Sequence, residues 1–475
     1  MAVRLVKFFD FLVLLFGVFF CLQWTLALLT FPIFKGMPIG YVPALAGLAL
    51  GGVFCLPIVR RFCNRLLDAS PPAPFLAGLC LVGFLLRGAC ILAFPVEPMN
   101  DPSFFHRFAV NLLNGNGYGN GDLKAFYPPG MSFLLAGWYG ITEPTPFAGK
   151  WLNGLVGAAT VLLVYAIGRR TVGERAGKWA AVLAAVMPTL VFYSATLGYE
   201  LILGFIFLAT VYLGLLIRDT KGSGVLPCVL LGLVLGFGSL IKPICLPLPM
   251  VLIVWWWLLG LRGRALVYGA VVLAVMACVV APWTLRNYRE LGEFVLVSTN
   301  GGVVLYSANN PYTDGRESAV QLPPGEHDEI SRDRLRRKAA QEWIKANPTR
   351  FLRLAVNKAL YTWGTSTQIM SVISNDRMVL WQEQACMVII NLFWAALLVQ
   401  CLAATCCTSI WRERRLYVAF ALLAYVFFIH VISEAMSRHH IPVIGVLILI
   451  ASAALARNGA SKNQPSSETT VTASI

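Results

Sequence analysis

Apolar stretches, most of them near the roughly 20 residues that a helix needs to cross a bilayer core, recur along most of the chain. They fall at 8–31, 41–59, 75–94, 152–168, 179–194, 201–217, 225–241, 245–260, 266–283, 385–405, 416–432 and 441–455. This pattern predicts an all-α polytopic membrane protein, a bundle of about twelve spans. Two polar interruptions are long, at 95–151 and 284–383. A further apolar piece, 129–141, lies inside the first. It is too short to span, and predicts a re-entrant or interfacial segment.

Charge orients the pattern. Arg60, Arg61 and Arg65, then Arg169, Arg170, Arg175 and Lys178, then Arg218 and Lys221, then Arg262 and Arg264, then Arg412, Arg414 and Arg415 follow every second span. The positive-inside rule assigns these loops to the cytoplasm. Both termini are then cytoplasmic, and both long polar loops lie outside. The net charge of +15 is accounted for by these loops, which removes the case for a nucleic-acid partner. Only 13% of residues are charged and mean hydropathy is +0.70, against about 25% charged in a soluble domain.

The organisation expected is an N-terminal two-span hairpin (1–70), a core (71–283) with its first outer loop (95–151), an extracytoplasmic segment (284–383), C-terminal spans (384–456) and a disordered cytoplasmic tail (457–475). Arg4 and Lys7 precede a first apolar run too long for a signal-peptide core, so it is read as retained. The 12 cysteines sit in apolar runs or at span ends without metal spacing, and read as small packing residues.

The stretch 99–118 concentrates the chemistry. Asn100-Asp101-Pro102 is a helix start, with a capping side chain and proline at the first helical position. Phe104, Phe105, Phe108, Ala109, Leu112 and Leu113 then repeat at helical spacing, predicting a short helix lying on the membrane. In the second loop, 294–298 and 303–306 around Asn300-Gly301-Gly302 read as a hairpin, so this segment is expected to be mixed. A charged helix is predicted over 331–345. Another begins at Asn347-Pro348, with Phe351, Leu354, Ala355, Tyr361 and Trp363 as a membrane-facing stripe.

Ionisable groups at membrane depth mark function by default. The candidate catalytic carboxylates are Asp101 and Glu200. The bland readings are a helix cap for Asp101 and an interfacial pair with Arg87 for Glu200. Lys242, Arg286 and Arg438 each follow an outward span, where positive residues are less expected. With Lys124 they form a candidate anion site, phosphate being the natural ligand, and ordinary anionic head groups the alternative. His106, Tyr127, His439 and His440 are candidate substrate contacts. No metal spacing, phosphate loop or dinucleotide turn is present, so no cofactor is indicated, with a divalent metal left open.

Several motifs follow in a characteristic order. Arg87 lies in an outward span, then come Asn100-Asp101, Asn114-Gly115-Asn116-Gly117-Tyr118, Tyr127-Pro128-Pro129-Gly130, Tyr199-Glu200 and Lys242-Pro243. Ala281-Pro282-Trp283 leads to Arg286-Asn287-Tyr288, and Arg438-His439-His440-Ile441-Pro442 enters the last span. This order resembles the GT-C membrane glycosyltransferases, specifically glycosyltransferase family 39, kin of the protein O-mannosyltransferases and aminoarabinose transferases. The resemblance covers about 75–455. It implies an inverting transferase with a polyprenyl-phosphate-linked sugar donor and a lipid, glycan or protein acceptor. It implies that Asp101 matches the first-loop catalytic aspartate and Glu200 the second acidic position, with Lys124, Arg286 and Arg438 as looser matches to donor-phosphate contacts. The acid–acid pair often found in the first loop is here Asn100-Asp101. The reading from another class is a transporter or flippase of a lipid-linked sugar, which should show repeats and polar groups at mid-bilayer.

Overall fold

Each apolar stretch from residue 75 onward folds as a helix. The computed structural model describes residues 41–220, 224–318, 328–364, 368–373, 380–408 and 410–457, with scattered positions before 41. Lys221, most of the first apolar run and the tail after 457 lie outside the described residues. Seven described helices are long and apolar enough to cross a bilayer. The helices 41–55 and 57–69, bent by 69° at their junction, add an eighth if counted as one span. The other expected spans are shorter helices: Val225–Ile241, Leu248–Leu258, and the pair Glu174–Val186 and Pro188–Tyr193 broken at Pro188. The expected total of twelve is therefore not reached by length and apolarity alone.

The helices pack closely where side chains are smallest. Gly232 and Gly236 of Val225–Ile241 face Val275 and Val279 of Gly263–Leu291, with no room for a Cβ at either glycine. This is the small-residue contact that membrane helices use in place of a hydrophobic drive. The last span, Ser437–Leu455, is the most enclosed of the candidates, which sets Arg438, His439 and His440 at the end of a central helix.

The two ends of the bundle differ as the charge pattern implies. At one, the Arg175 guanidinium grips Asp68 (Nη2–Oδ2 2.6 Å), Lys178 donates to Leu67 and Ser70 carbonyls, and Arg415 donates to the Arg170 carbonyl. These tie basic loops from three parts of the chain together. Asp101, Glu200, Lys242 and Arg438 gather at the other end, described below. The piece 129–141 folds as the ten-residue helix Gly130–Tyr139, about 15 Å long at 1.5 Å per residue. It abuts Ile241 through Gly130.

Several expectations are corrected. The helix Asp101–Leu113 does not lay its greasy face on lipid: Phe105, Phe108 and Ala109 are buried against Tyr118, Tyr127 and Tyr199. Asn100 makes no capping hydrogen bond and has φ 54°, ψ −136°, while Ser103 donates its hydroxyl to the Asn100 carbonyl. The hairpin is absent, and the second loop is helical and irregular among its described residues. Gly301–Ser307 is a helix, because the buried Asp333 carboxylate accepts the Gly302 N–H at its start. The stretch before it is held as irregular backbone by Trp283 donating to Val297 and Asn287 donating to Val295 and Val297. The charged helix runs Glu329–Ala346 and the next Pro348–Trp363. Its stripe faces inward: Leu354 and Trp363 are buried, while Leu352 and Val356 are exposed. No disulfide joins the described cysteines to one another.

Candidate active site

Arg438 lies at the centre of a charged cluster built from four parts of the chain. Its Nη2 stands 3.4 Å from Asp101 Oδ2, and Glu200, Tyr199 and Glu434 are within electrostatic range. Its Nε is buried without a hydrogen-bond partner. Its backbone N–H points at the Gln368 side-chain oxygen.

Asp101 is carried there by its helix. As the first helical residue, with Pro102 next, it projects from the helix start. Neither it nor Asn100 caps the helix, so the bland reading of Asp101 does not describe the observed contact. Tyr127 lies beside it. Burial raises the Tyr127 phenol, and the hydrogen-bonded Asp101 carboxylate pushes it the same way.

Glu200 is buried at the start of helix Glu200–Asp219. Its carboxylate turns back over its own backbone N–H into the space a side chain at Gly198 would fill. The helix N-terminus favours an anion there. Asn153, fully buried, secures the preceding turn by donating to the Thr196 and Gly198 carbonyls at 2.9 and 3.1 Å. The expected Arg87 pair is not made. Arg87 is buried and donates instead to carbonyls of Gly83, Ala184 and Ala185.

Lys242 ends the Val225–Ile241 helix and lies 4.7 Å over the Tyr199 ring, hydrogen-bonded to its hydroxyl. Both Glu200 and Glu434 feel its charge.

The other sequence candidates are not in this cluster. Arg286 donates to the Lys124 carbonyl at 2.6 Å and the Tyr118 carbonyl at 3.0 Å and stacks over Trp283, so it fastens the first loop. Lys124 is exposed beside Glu290. His106 pairs with the Tyr139 hydroxyl at 2.9 Å, and burial lowers its pKa. His440 hydrogen-bonds the Thr362 carbonyl and stacks on Trp394 at 4.2 Å. His439 sits nearer, stacked on His430 at 3.8 Å with Nε2 3.7 Å from Glu434. Its Nδ1 accepts from the Met436 N–H, which leaves the Nε2 proton to face that carboxylate.

Glu434 and Lys358 were not singled out by sequence reading. Glu434 is buried and accepts from Ser307 at 3.3 Å. Burial raises its pKa, against the pull of Lys242 and Arg438. Lys358 donates to Asn309 at 2.7 Å and the Ile432 carbonyl at 3.2 Å, and burial lowers it to about 7. Glu434 lies four residues before Arg438 outside any motif, and its one signal was an acid in the polar break between two apolar runs. Lys358 sits on the inward face of the Pro348–Trp363 helix beside Leu354, a face whose apolar spacing alone predicts membrane contact.

Set together, a part-exposed carboxylate, a second acid at a helix start and two cations form a site that can accept a proton and hold an anion at once. The family model for dolichyl-phosphate-mannose-protein mannosyltransferases matches residues 127–285, a stretch that includes Glu200 and Lys242. Among solved structures the chain is similar to the archaeal oligosaccharyltransferase AglB from Archaeoglobus fulgidus, in complex with an inhibitory peptide and a dolichol-phosphate. The TM-score is 0.50 at 15% identity, over 80% of this chain and 49% of that one.

The chain shares the GT-C membrane fold.

It spans about half the length of that archaeal enzyme. ArnT from Cupriavidus metallidurans bound to undecaprenyl phosphate also matches, with a TM-score of 0.40 at 13% identity, over 81% of this chain and 77% of that one. No curated protein matches by sequence. Within the GT-C fold of this chain, the cluster lies where the first loop, the helix starting at Glu200 and the turn before the last span converge.

Proposed function

We propose that this protein is an inverting glycosyltransferase that moves a sugar from a polyprenyl-phosphate donor to a lipid, glycan or protein acceptor at the outer face of a bacterial inner membrane. The observation that carries this reading is the Asp101–Arg438 pair at 3.4 Å, with Glu200 and Lys242 beside it. The dolichol-phosphate in the archaeal structure supports a lipid phosphate as the donor's carrier.

The reaction follows from the groups. The acceptor's nucleophilic atom bonds to the sugar's anomeric carbon as the bond from that carbon to phosphate oxygen breaks. Asp101 takes the acceptor's proton. The lipid phosphate leaves with the electron pair as an anion, and Arg438 and Lys242 hold its growing charge. A phosphate leaving group needs no general acid, and the two side-chain cations do this work without a resident cofactor. Arg438 also links the two halves. In the unliganded pair its guanidinium faces Asp101, and a donor phosphate competes for the same donors. Donor binding thus loosens Asp101 from its counter-ion and frees it to accept a proton. Glu200 orients the acceptor or shares the proton.

The test compares glycans and lipids of the cell envelope with and without the gene by mass spectrometry. The reading expects one sugar modification to vanish while its polyprenyl-phosphate sugar accumulates. Unchanged envelope sugars would contradict it.

A further inference from the structure

Glu434 lies within electrostatic range of both phosphate-holding cations, yet the reaction above gives it no part. It sits in the irregular turn between Tyr417–Ile432 and the last span, and it is buried. The second loop clamps that turn. Asn309 donates to the Ile432 and Ser433 carbonyls at 3.0 and 3.1 Å, and Lys358 donates to Ile432 at 3.2 Å. The carboxylate itself accepts from the Ser307 hydroxyl at 3.3 Å and stands 3.7 Å from His439 Nε2. The charged and titratable groups around it are Lys242, Arg438, Lys358 and Glu317, with His439 beside it and His430 against its backbone.

We infer, on the transferase reading above, that Glu434 lets the site tell the intact donor from the spent carrier: its negative charge disfavours the doubly charged phosphomonoester product relative to the singly charged phosphodiester donor, and so speeds product release.

The reaction itself creates the need. In the donor the phosphate is bonded to both the sugar and the polyprenyl chain, and carries one negative charge. When the bond to the sugar breaks, the phosphate oxygen keeps the electron pair and the acceptor's proton goes to Asp101. The phosphate thereby gains a second charge, which a phosphomonoester keeps above about pH 6. A pocket of cations alone would hold this product more tightly than the donor, and the spent carrier would block the next turnover.

Among the described residues, Asp101, Glu200 and Glu434 face Arg438 and Lys242, so the second phosphate charge enters a site where acids outnumber cations. The three acids are not equivalent at that moment. Asp101 has just been neutralised by the acceptor's proton. Glu200 sits at a helix start, whose dipole offsets its charge. Glu434 has no such offset. Ser307 is uncharged, and the His439 ring is neutral because its Nδ1 accepts the Met436 N–H. Burial lowers Lys358 to about 7, so above that pH it is a neutral amine. The charge of Glu434 is therefore left to act on whatever Lys242 and Arg438 hold.

The test measures binding of two probes to the full chain purified in detergent: farnesyl phosphate, a phosphomonoester, and farnesyl methyl phosphate, a phosphodiester. The pH is set at about 8.5, above the second ionisation of phosphate. The wild type is expected to bind the monoester no more than about threefold tighter than the diester. Glu434→Gln, which keeps the size and an acceptor for Ser307 but not the charge, should bind the monoester about tenfold tighter than wild type and the diester within about threefold. In turnover with a polyprenyl-phosphate sugar the same variant should lower kcat and KM together, because release slows. Ser307→Ala, which removes the hydrogen bond and keeps the charge, should match wild type in the ratio; a merely structural role would move both variants alike. A wild-type preference for the monoester above about tenfold, an unchanged ratio in Glu434→Gln, or an equal shift in Ser307→Ala overturns the inference. The wild-type ratio decides by itself if Glu434→Gln does not fold. Binding of neither probe contradicts the donor reading and overturns this inference with it, whereas binding of both with the wrong ratio overturns this inference alone.

Discussion

Replacing Lys358 by methionine should change the sign of its effect on stability between neutral and alkaline pH. Lys358 is fully buried, and its ordinary pKa of 10.5 falls to about 7 through burial. Between those values the unfolded chain carries the proton and the folded chain does not. Stability therefore rises with pH across this window, by about 1.4 kcal/mol per unit, or roughly 5 kcal/mol in all. Above pH 10.5 the neutral amine keeps its hydrogen bonds to Asn309 and Ile432 at no charge cost. Methionine leaves those acceptors unpaired, which costs about 1–3 kcal/mol. Below pH 7 the wild type bears a buried cation and the variant does not. Lys358→Met should then be less stable than wild type at high pH and more stable near pH 6.5, crossing in between. Thermal unfolding of both proteins in one detergent across pH 6.5–10.5 measures this. A stability difference that stays flat with pH would refute the argument.

Three further outcomes follow from named contacts. Glu329 accepts from the backbone N–H of Lys124 and Ala125 and from the Thr299 hydroxyl, so Glu329→Ala strands two buried donors and one half-buried donor and should cost about 3 kcal/mol in thermal unfolding. Arg286→Lys loses the forked grip on Tyr118 and Lys124, and amide exchange around 118–125 should speed up by about tenfold or more. Asn100 has φ 54°, a conformation that favours glycine. Asn100→Gly should therefore raise stability by about 1 kcal/mol and leave transfer intact, as a melting curve beside a transfer assay would show.

The helices were legible because each apolar run had to bury or lipidate itself over a helix's length. The division of charge between the two ends was legible for a similar reason, since arginine-rich loops and isolated acids mark opposite ends. What misled was local chemistry read without its partners. Asn300-Gly301-Gly302 has turn composition, yet Asp333, more than thirty positions away, recruits Gly302 into a helix start. The greasy face of Asp101–Leu113 looked ready for lipid, but the loop's own tyrosines cover it. Within the site, Asp101, Glu200, Lys242 and Arg438 stood out as ionisable groups at span ends. Arg286 shared that signature while serving the fold, because spacing cannot tell a guanidinium bound to carbonyls from one left for substrate. Glu434 and Lys358 act through contacts made only when the second loop folds onto the turn before the last span.

In the proposed reaction Asp101 accepts the acceptor's proton while Arg438 holds the donor phosphate. The direct measurement is sugar transfer by the purified protein and by Asp101→Asn, with donor binding followed in parallel. Transfer should fall by about a hundredfold or more, with donor binding kept or tightened because Arg438 loses its counter-ion. Transfer at the wild-type rate in Asp101→Asn would contradict it.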